Sequence, residues 1–186
     1  MTLNINCQFD SGNIHVIDSQ SNPVKLAIRH DHQSDFYQWF HFCVSGAQAQ
    51  ENFQFSLTNA AGAAFAQGWN HFQVVASYDR QEWFRVATHY EQGELIFDHA
   101  AEYDQVWYSF FTPYSWERHQ DLIAWAQTSA LCSLETLGNT LDNRPLSLLT
   151  VGQPGPEKRN IWLTARQHPG ETMAEFAIEG LLQKLL

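Results

Sequence analysis

One stretch constrains this chain more than any other: Asn160–Leu186, NIWLTARQHPGETMAEFAIEGLLQKLL. It opens with an apolar run of strand type, Ile161, Trp162, Leu163, Thr164 and Ala165. It ends with Met173, Phe176, Ala177, Leu181 and Leu185 at the three- and four-residue spacing of an amphipathic helix. Between them lies His168-Pro169-Gly170-Glu171. A strand that stops at a Pro-Gly turn and restarts as a helix is where α/β proteins place chemistry, because rigid elements hold the loop on both sides. A His and a Glu three apart at such a junction can face one point. That suits a zinc ion, which takes imidazole nitrogen and carboxylate oxygen at about 2.0–2.2 Å. A plain helix start, with Glu171 in a first turn where an acid suits the macrodipole, accounts for the same residues. Spacing does not choose between the two, since His15–Asp18, His32–Asp35 and His99–Glu102 share it. Only His168–Glu171 has a strand, a turn and a helix around it.

Charge narrows the partners. The net charge of −10, with ten Lys and Arg and no cluster of them, argues against nucleic acid, whose binding releases counterions only to grouped cations. No apolar stretch reaches the roughly 18 residues of a membrane-spanning helix, so no membrane partner is expected. The start, MTLNINCQFD, has neither a basic nor an apolar leader segment and reads as no signal peptide. Cys7, Cys43 and Cys132 are odd in number and far apart, which fits reduced thiols in a cytoplasmic protein.

From Ile5 to about Tyr114, short runs rich in aromatic and β-branched residues alternate with turn signals such as Ser11-Gly12-Asn13, Ser21-Asn22-Pro23, Ser45-Gly46 and Gln92-Gly93. The pattern predicts an antiparallel β-sandwich over 1–114. Tyr37–Val44, apolar on both faces, reads as a central strand, and Trp83–Thr88 as one strand. Ala60–Gly68 is too poor in large side chains for a strand and reads as a loop. His30 and His32, beside Asp31 and Asp35, would share a strand face and form a conceivable metal site, against a solvated loop. Trp69, Phe72, Trp83, Phe84, Trp107 and Tyr108 would serve as core or as a sugar-stacking platform.

The period changes after Thr112-Pro113-Tyr114-Ser115. A helix is predicted from Trp116 to about Thr128, with Ser115 as its N-cap. Strands Leu131–Leu137 and Leu146–Val151 follow, then the apolar strand into His168. A strand apolar on both faces followed by a helix implies a sheet with helices on each side. Residues 115–186 supply about three strands and two helices of such a sheet, so this second domain is expected to be incomplete.

Five segments carry a resemblance. Thr164–Thr172, TARQHPGET, resembles the first zinc-ligand motif of the zinc metallocarboxypeptidases in their cytosolic branch, which has Gly at the place of Gly170. Leu137–Leu146, LGNTLDNRPL, resembles the Gly-x-Thr…Gly-Arg-Pro hairpin that opens their catalytic sheet. Tyr108–Ser115, YSFFTPYS, resembles the branch's Tyr-Pro-Tyr segment. Phe9–Val16 and Val74–Asp79 resemble its N-terminal β-sandwich. The resemblance implies a β-sandwich followed by the first strands and helices of an α/β carboxypeptidase domain. It implies a zinc-dependent enzyme that removes C-terminal amino acids from peptides or proteins, with His168 and Glu171 as metal ligands. The family's zinc is held by two His and one Glu, as in carboxypeptidase A. No His follows His168, and no carboxylate-binding Arg or general base can be matched. No catalytic residue is therefore assigned in this chain; the general base is expected beyond Leu186, and the 186 residues alone are expected to be inert. Alternatives are a zinc deacylase of the aspartoacylase type and a non-catalytic binding module.

Overall fold

Phe55 and Leu57, Leu95 and Phe97, Val106 and Tyr108 stand at every second position of three runs, and all six are buried. That alternation builds two sheets with their apolar faces turned inward. The computed structural model describes residues 3–46 and 51–186. They fall into two units, Met1–Pro113 and Tyr114–Leu186. In the first unit the strands are β1 (Asn4–Asn6), β2 (His15–Asp18), β3 (Val24–Ala27), β4 (His41–Ser45), β5 (Asn52–Leu57), β6 (Val75–Ser77), β7 (Phe84–Arg85), β8 (Ala87–Glu91), β9 (Glu94–Ala100) and β10 (Gln105–Ser109). One sheet has the order β1-β4-β10-β6-β7 and the other β2-β3-β5-β9-β8. Between them pack Leu26, Phe42, Phe55, Phe97 and Tyr108, with the Phe55 and Phe97 rings stacked 5.1 Å apart.

Local chemistry explains the joints. β8 and β9 are linked by Gln92-Gly93, both at positive φ (51° and 89°), the two-residue turn whose twist matches a hairpin. β4 lies between β1 and β10, and His41, Phe42, Cys43 and Val44 are all buried, so its two faces are both covered. The ladder covers less than the apolar run Tyr37–Val44: Tyr37–Phe40 precede β4 and bond to loops, Tyr37 O accepting from Ala64 N–H at 2.9 Å.

Three expectations are corrected in the first unit. The run Trp83–Thr88 is two strands in different sheets, β7 and β8. Val86 makes the switch: it is buried, and its N–H donates to Val74 O at 2.9 Å before the chain crosses. The sandwich is not wholly antiparallel, since β3 and β5 pair parallel, Val24 opposite Phe55 and Leu26 opposite Leu57. The chain visits the other sheet as β4 between them, and such a crossover restores strand direction. Ala60–Gly68 contains two single-turn 3₁₀ helices, Ala60–Gly62 and Ala66–Trp69, rather than plain loop.

The second unit has helix α1 (Trp116–Ala126), strands β11 (Cys132–Asn139) and β12 (Pro145–Val151), and helix α2 (Thr172–Leu185). β11 and β12 form an antiparallel hairpin, Cys132 opposite Val151 and Asn139 opposite Pro145. Its turn closes by Thr140 N–H donating to Arg144 O at 2.8 Å, with Asn143 in the left-handed region at φ 59°, which Asn tolerates better than most residues. Among the described residues this hairpin is the only sheet of the unit, so the expected helix-flanked sheet is not formed. Residues 161–166 are not a strand either, because a strand requires a neighbouring backbone and none pairs with them. Ile161, Trp162 and Leu163 are 81%, 74% and 59% exposed.

Ser115 caps α1: its Oγ accepts from Arg118 N–H at 3.2 Å, satisfying one of the helix's orphan donors. Ser115→Ala should lower the stability of the second unit by about 1 kcal/mol, read as a shifted urea midpoint in helical circular dichroism.

Candidate metal centre

The segment that carries His168 is set by the residue two places before it. Arg166 has φ 53°, a left-handed conformation uncommon for a long side chain. Its guanidinium holds the bend: Nη1 donates to Tyr114 O at 2.8 Å and to Glu175 Oε2 on α2. The chain then turns through Pro169 and Gly170, closed by Glu171 N–H donating to His168 O at 3.0 Å. Glu171 is the N-cap residue of α2, yet its side chain makes no capping bond. Instead Oε1 lies 2.9 Å from His168 Nδ1, and Oε2 accepts from His168 N–H at 3.4 Å. The hydrogen bond from His168 holds the Glu171 carboxyl below its ordinary range. The two side chains are 77% and 45% exposed, so an ion from solvent can reach both donor atoms.

One imidazole nitrogen and one carboxylate oxygen, already converged and open to water, suit two positions of a zinc site. Among the described residues no group of three His, Cys, Asp or Glu converges. The other His-acid pairs are used differently. His99 Nδ1 lies 2.8 Å from Tyr108 Oη and its Nε2 3.2 Å from Tyr78 Oη, while Glu102 donates its backbone N–H to Tyr78 Oη. His30 stacks on Tyr37 with ring centroids 5.0 Å apart, in a segment that is not a strand, so it shares no strand face with His32. Of the aromatic set, Trp69 and Tyr108 are buried in the core, and Trp69 Nε1 donates to Ala60 O at 2.8 Å. Phe84 alone of the six is both exposed and on a cavity wall.

The support beneath the pair was not legible in the sequence. Glu175 and Glu179 stand one turn apart on α2, and each meets α1. His119 Nδ1 lies 3.1 Å from Glu175 Oε1, and Arg118 grips Glu179 through two bonds of 2.9 Å. Burial opposes ionisation of Glu175, but hydrogen bonds from His119 and Arg166 outweigh it and hold the carboxyl below its ordinary range. Arg118 also lies 4.9 Å above the Tyr114 ring and 4.7 Å above Phe176. The only advance signal was the four-residue spacing of two acids on one helix face. Which cations would meet them depended on how α1 packs.

Residues 5–111 match the family described as the cytosolic carboxypeptidase N-terminal domain, and residues 121–186 match the zinc carboxypeptidase family. An uncharacterised protein of Zymomonas mobilis is 44% identical over 185 residues, covering 100% of this chain and 48% of its own. Cytosolic carboxypeptidase 6 of Mus musculus is 26% identical, covering 99% of this chain and 38% of its own. A metallo-carboxypeptidase from Burkholderia cenocepacia superposes with a TM-score of 0.91 at 42% identity, over 99% of this chain and 49% of that one. A metallo-carboxypeptidase from Pseudomonas aeruginosa, solved in complex with (2-guanidinoethylmercapto)succinic acid, does so with 0.90 at 40%, over 98% and 49%. This chain spans about half or less of the length of each of these relatives.

Proposed function

Because this chain belongs to the zinc carboxypeptidases, in their cytosolic branch, we propose that His168 and Glu171 are two protein ligands of a catalytic zinc in a carboxypeptidase acting on peptide or protein C-termini. The observation that carries the reading is the 2.9 Å approach of His168 Nδ1 to Glu171 Oε1 at an exposed turn. Bound zinc supplies polarisation of a carbonyl and a water made acidic enough to attack it. His168 contributes a neutral imidazole lone pair. Glu171 contributes a carboxylate that its neighbour keeps ionised. Its side chain is free for that role because it does not cap α2. Arg166, bonded to Tyr114 O and to Glu175, holds the segment that leads into His168.

Residues 1–114 then form the sandwich domain and 115–186 the opening part of an α/β catalytic domain. The two family matches support this division. No third protein ligand, general base or group that binds a substrate carboxylate is assigned among these 186 residues. A cytoplasmic location is supported by three unpaired cysteines and by the names of the mammalian relatives. No helix among the described residues is long and apolar enough to cross a membrane.

Zinc titration against a competing chromogenic chelator tests the pair. The 186-residue chain should bind one zinc weakly, since catalytic sites use three protein ligands. His168→Ala should weaken that binding by about 100-fold or more, beyond what outer-shell changes cause. Unchanged affinity in His168→Ala would overturn the ligand assignment. Release of a C-terminal Glu or Lys from a peptide by the 186-residue chain would overturn its expected inactivity. In the protein as its gene encodes it, zinc-dependent release that is lost in His168→Ala is the expected result.

A further inference from the structure

We propose that the first unit carries a binding site for an arginine side chain presented by a peptide, in the open cavity where the β6–β7 turn meets the β9–β10 turn. The cavity measures about 680 Å³, and its walls include Tyr78, Phe84, Tyr103, Asp79, Glu82 and Asp104. No Lys or Arg is among the described residues that line it.

Three rings form one wall. Tyr78 and Tyr103 meet edge to face at 4.9 Å and 70°, and Tyr78 and Phe84 lie 5.4 Å apart, tilted by 40°. Tyr103 is 61% exposed and Phe84 38%, so ring faces are open to solvent. Tyr78 is set in place before any ligand arrives. Its Oη accepts from Glu102 N–H at 2.9 Å and bonds His99 Nε2 at 3.2 Å, and His99 in turn reaches the buried Tyr108. A wall ordered in advance loses little freedom on binding.

Three carboxylates, Asp79, Glu82 and Asp104, line the same cavity. Asp79 Oδ1 accepts from Gln81 N–H and Glu82 N–H, both at 2.8 Å, which fixes its position and keeps it ionised. Glu82 and Asp104 are exposed, and among the described residues neither is paired with a cation. Aromatic faces attract a cation through the ring quadrupole. A guanidinium fits such a wall better than an ammonium, because it is planar, stacks on a ring, and still presents N–H groups to carboxylates in its plane. A neutral apolar ligand would cover three carboxylates without compensating their charge. The combination therefore selects a stacked cation.

Calorimetric titration of the whole chain with acetyl-Gly-Arg-Gly-amide tests this, with the citrulline peptide as the neutral isostere and EDTA present throughout. The amidated end and the chelator remove the features read by the candidate metal centre, so the two proposals fail independently. Expected are saturable binding of the arginine peptide, little of the citrulline peptide, and about fivefold weakening in Tyr103→Ala and in Asp104→Asn. Both side chains are exposed, so neither change threatens the fold. His168→Ala should bind the arginine peptide like the parent chain. Equal binding of the two peptides, no binding of either, or arginine binding unaffected by both cavity variants would each overturn the proposal.

Discussion

Lowering the pH from 6.5 towards 3 should destabilise the sandwich by as much as about 5 kcal/mol through one side chain, His41. The ring is 1% exposed, between Phe9, Trp39 and Trp83. Among the described residues the ring's only hydrogen-bond partner is Ser11 Oγ, 3.0 Å from Nδ1, and Nε2 is buried without one. Ser11 has a single hydroxyl proton, which it donates to Asp10 O. His41 therefore donates from Nδ1 and is neutral, with a bare Nε2 facing aromatic rings. Adding a proton there places an unpaired charge in the core. Burial, reinforced by the positive charge of Arg80, pushes the ring's pKa down to about 3. The unfolded chain binds that proton near 6.5, so below this pH it binds more protons than the folded one, and acid favours unfolding. Stability is fully present above pH 6.5 and falls by up to about 1.4 kcal/mol per pH unit until the folded value is passed. His99, also depressed by burial, adds a smaller slope of the same sign. Urea midpoints followed by tryptophan fluorescence at intervals from pH 7.5 to 4 measure the effect. His41→Phe keeps a ring in the cluster and removes the titrating group, so most of the slope should vanish. A parent chain equally stable at pH 7 and 4.5 would refute the argument.

The second large effect belongs to the second unit. Glu175→Ala should cost about 2–3 kcal/mol, towards the low end for breaking a buried pair because its partners are partly hydrated. The glutamate side chain is only 14% exposed, and its removal leaves Arg166 and His119 facing each other without the anion between them. Glu179→Ala should cost less: its partner Arg118 is half in water, and it retains its position over Tyr114 and Phe176. Glu175 also sets a distinct acid limb. Its folded pKa lies below its unfolded one, so its contribution is present above about pH 4.5 and is lost as pH falls further. In His41→Phe the remaining acid loss should therefore combine the His99 slope below pH 6.5 with a further loss that begins near pH 4.5, and adding Glu175→Ala should reduce the second part. Helical circular dichroism against urea reads the second unit. Because Arg166 lies two residues before His168, Glu175→Ala should also weaken zinc binding by about tenfold. Unchanged stability and unchanged zinc affinity together would show that the network neither supports α2 nor orients the turn.

Much of this architecture was readable in one dimension, and the reasons are specific. Alternation of Phe55 and Leu57 with Gln54, Ser56 and Thr58 dictates a half-buried strand, and Gln92-Gly93 dictates a hairpin turn. Ser115 announces a helix start that the structure places at Trp116. The turn at Pro169-Gly170, with His168 and Glu171 on either side, needs only local geometry, since residues three apart at a tight turn are neighbours in any fold. Periodicity could not locate the sheet switch at Val86, because both strands it joins are extended and alternate alike.

Chain order alone determined a β-rich first part, a helical change of period after Ser115, and one imidazole beside one carboxylate at a turn. Those are short-range properties, carried by propensity and spacing. Tertiary structure decided the rest. It made His41 a buried neutral base when eight other histidines had the same intrinsic chemistry. It brought Arg118, His119 and Arg166 to two glutamates on another element, and it gathered three rings and three carboxylates from two separate turns around one cavity. Each depends on desolvation or on contact between segments distant in the chain, and neither quantity exists until the elements pack.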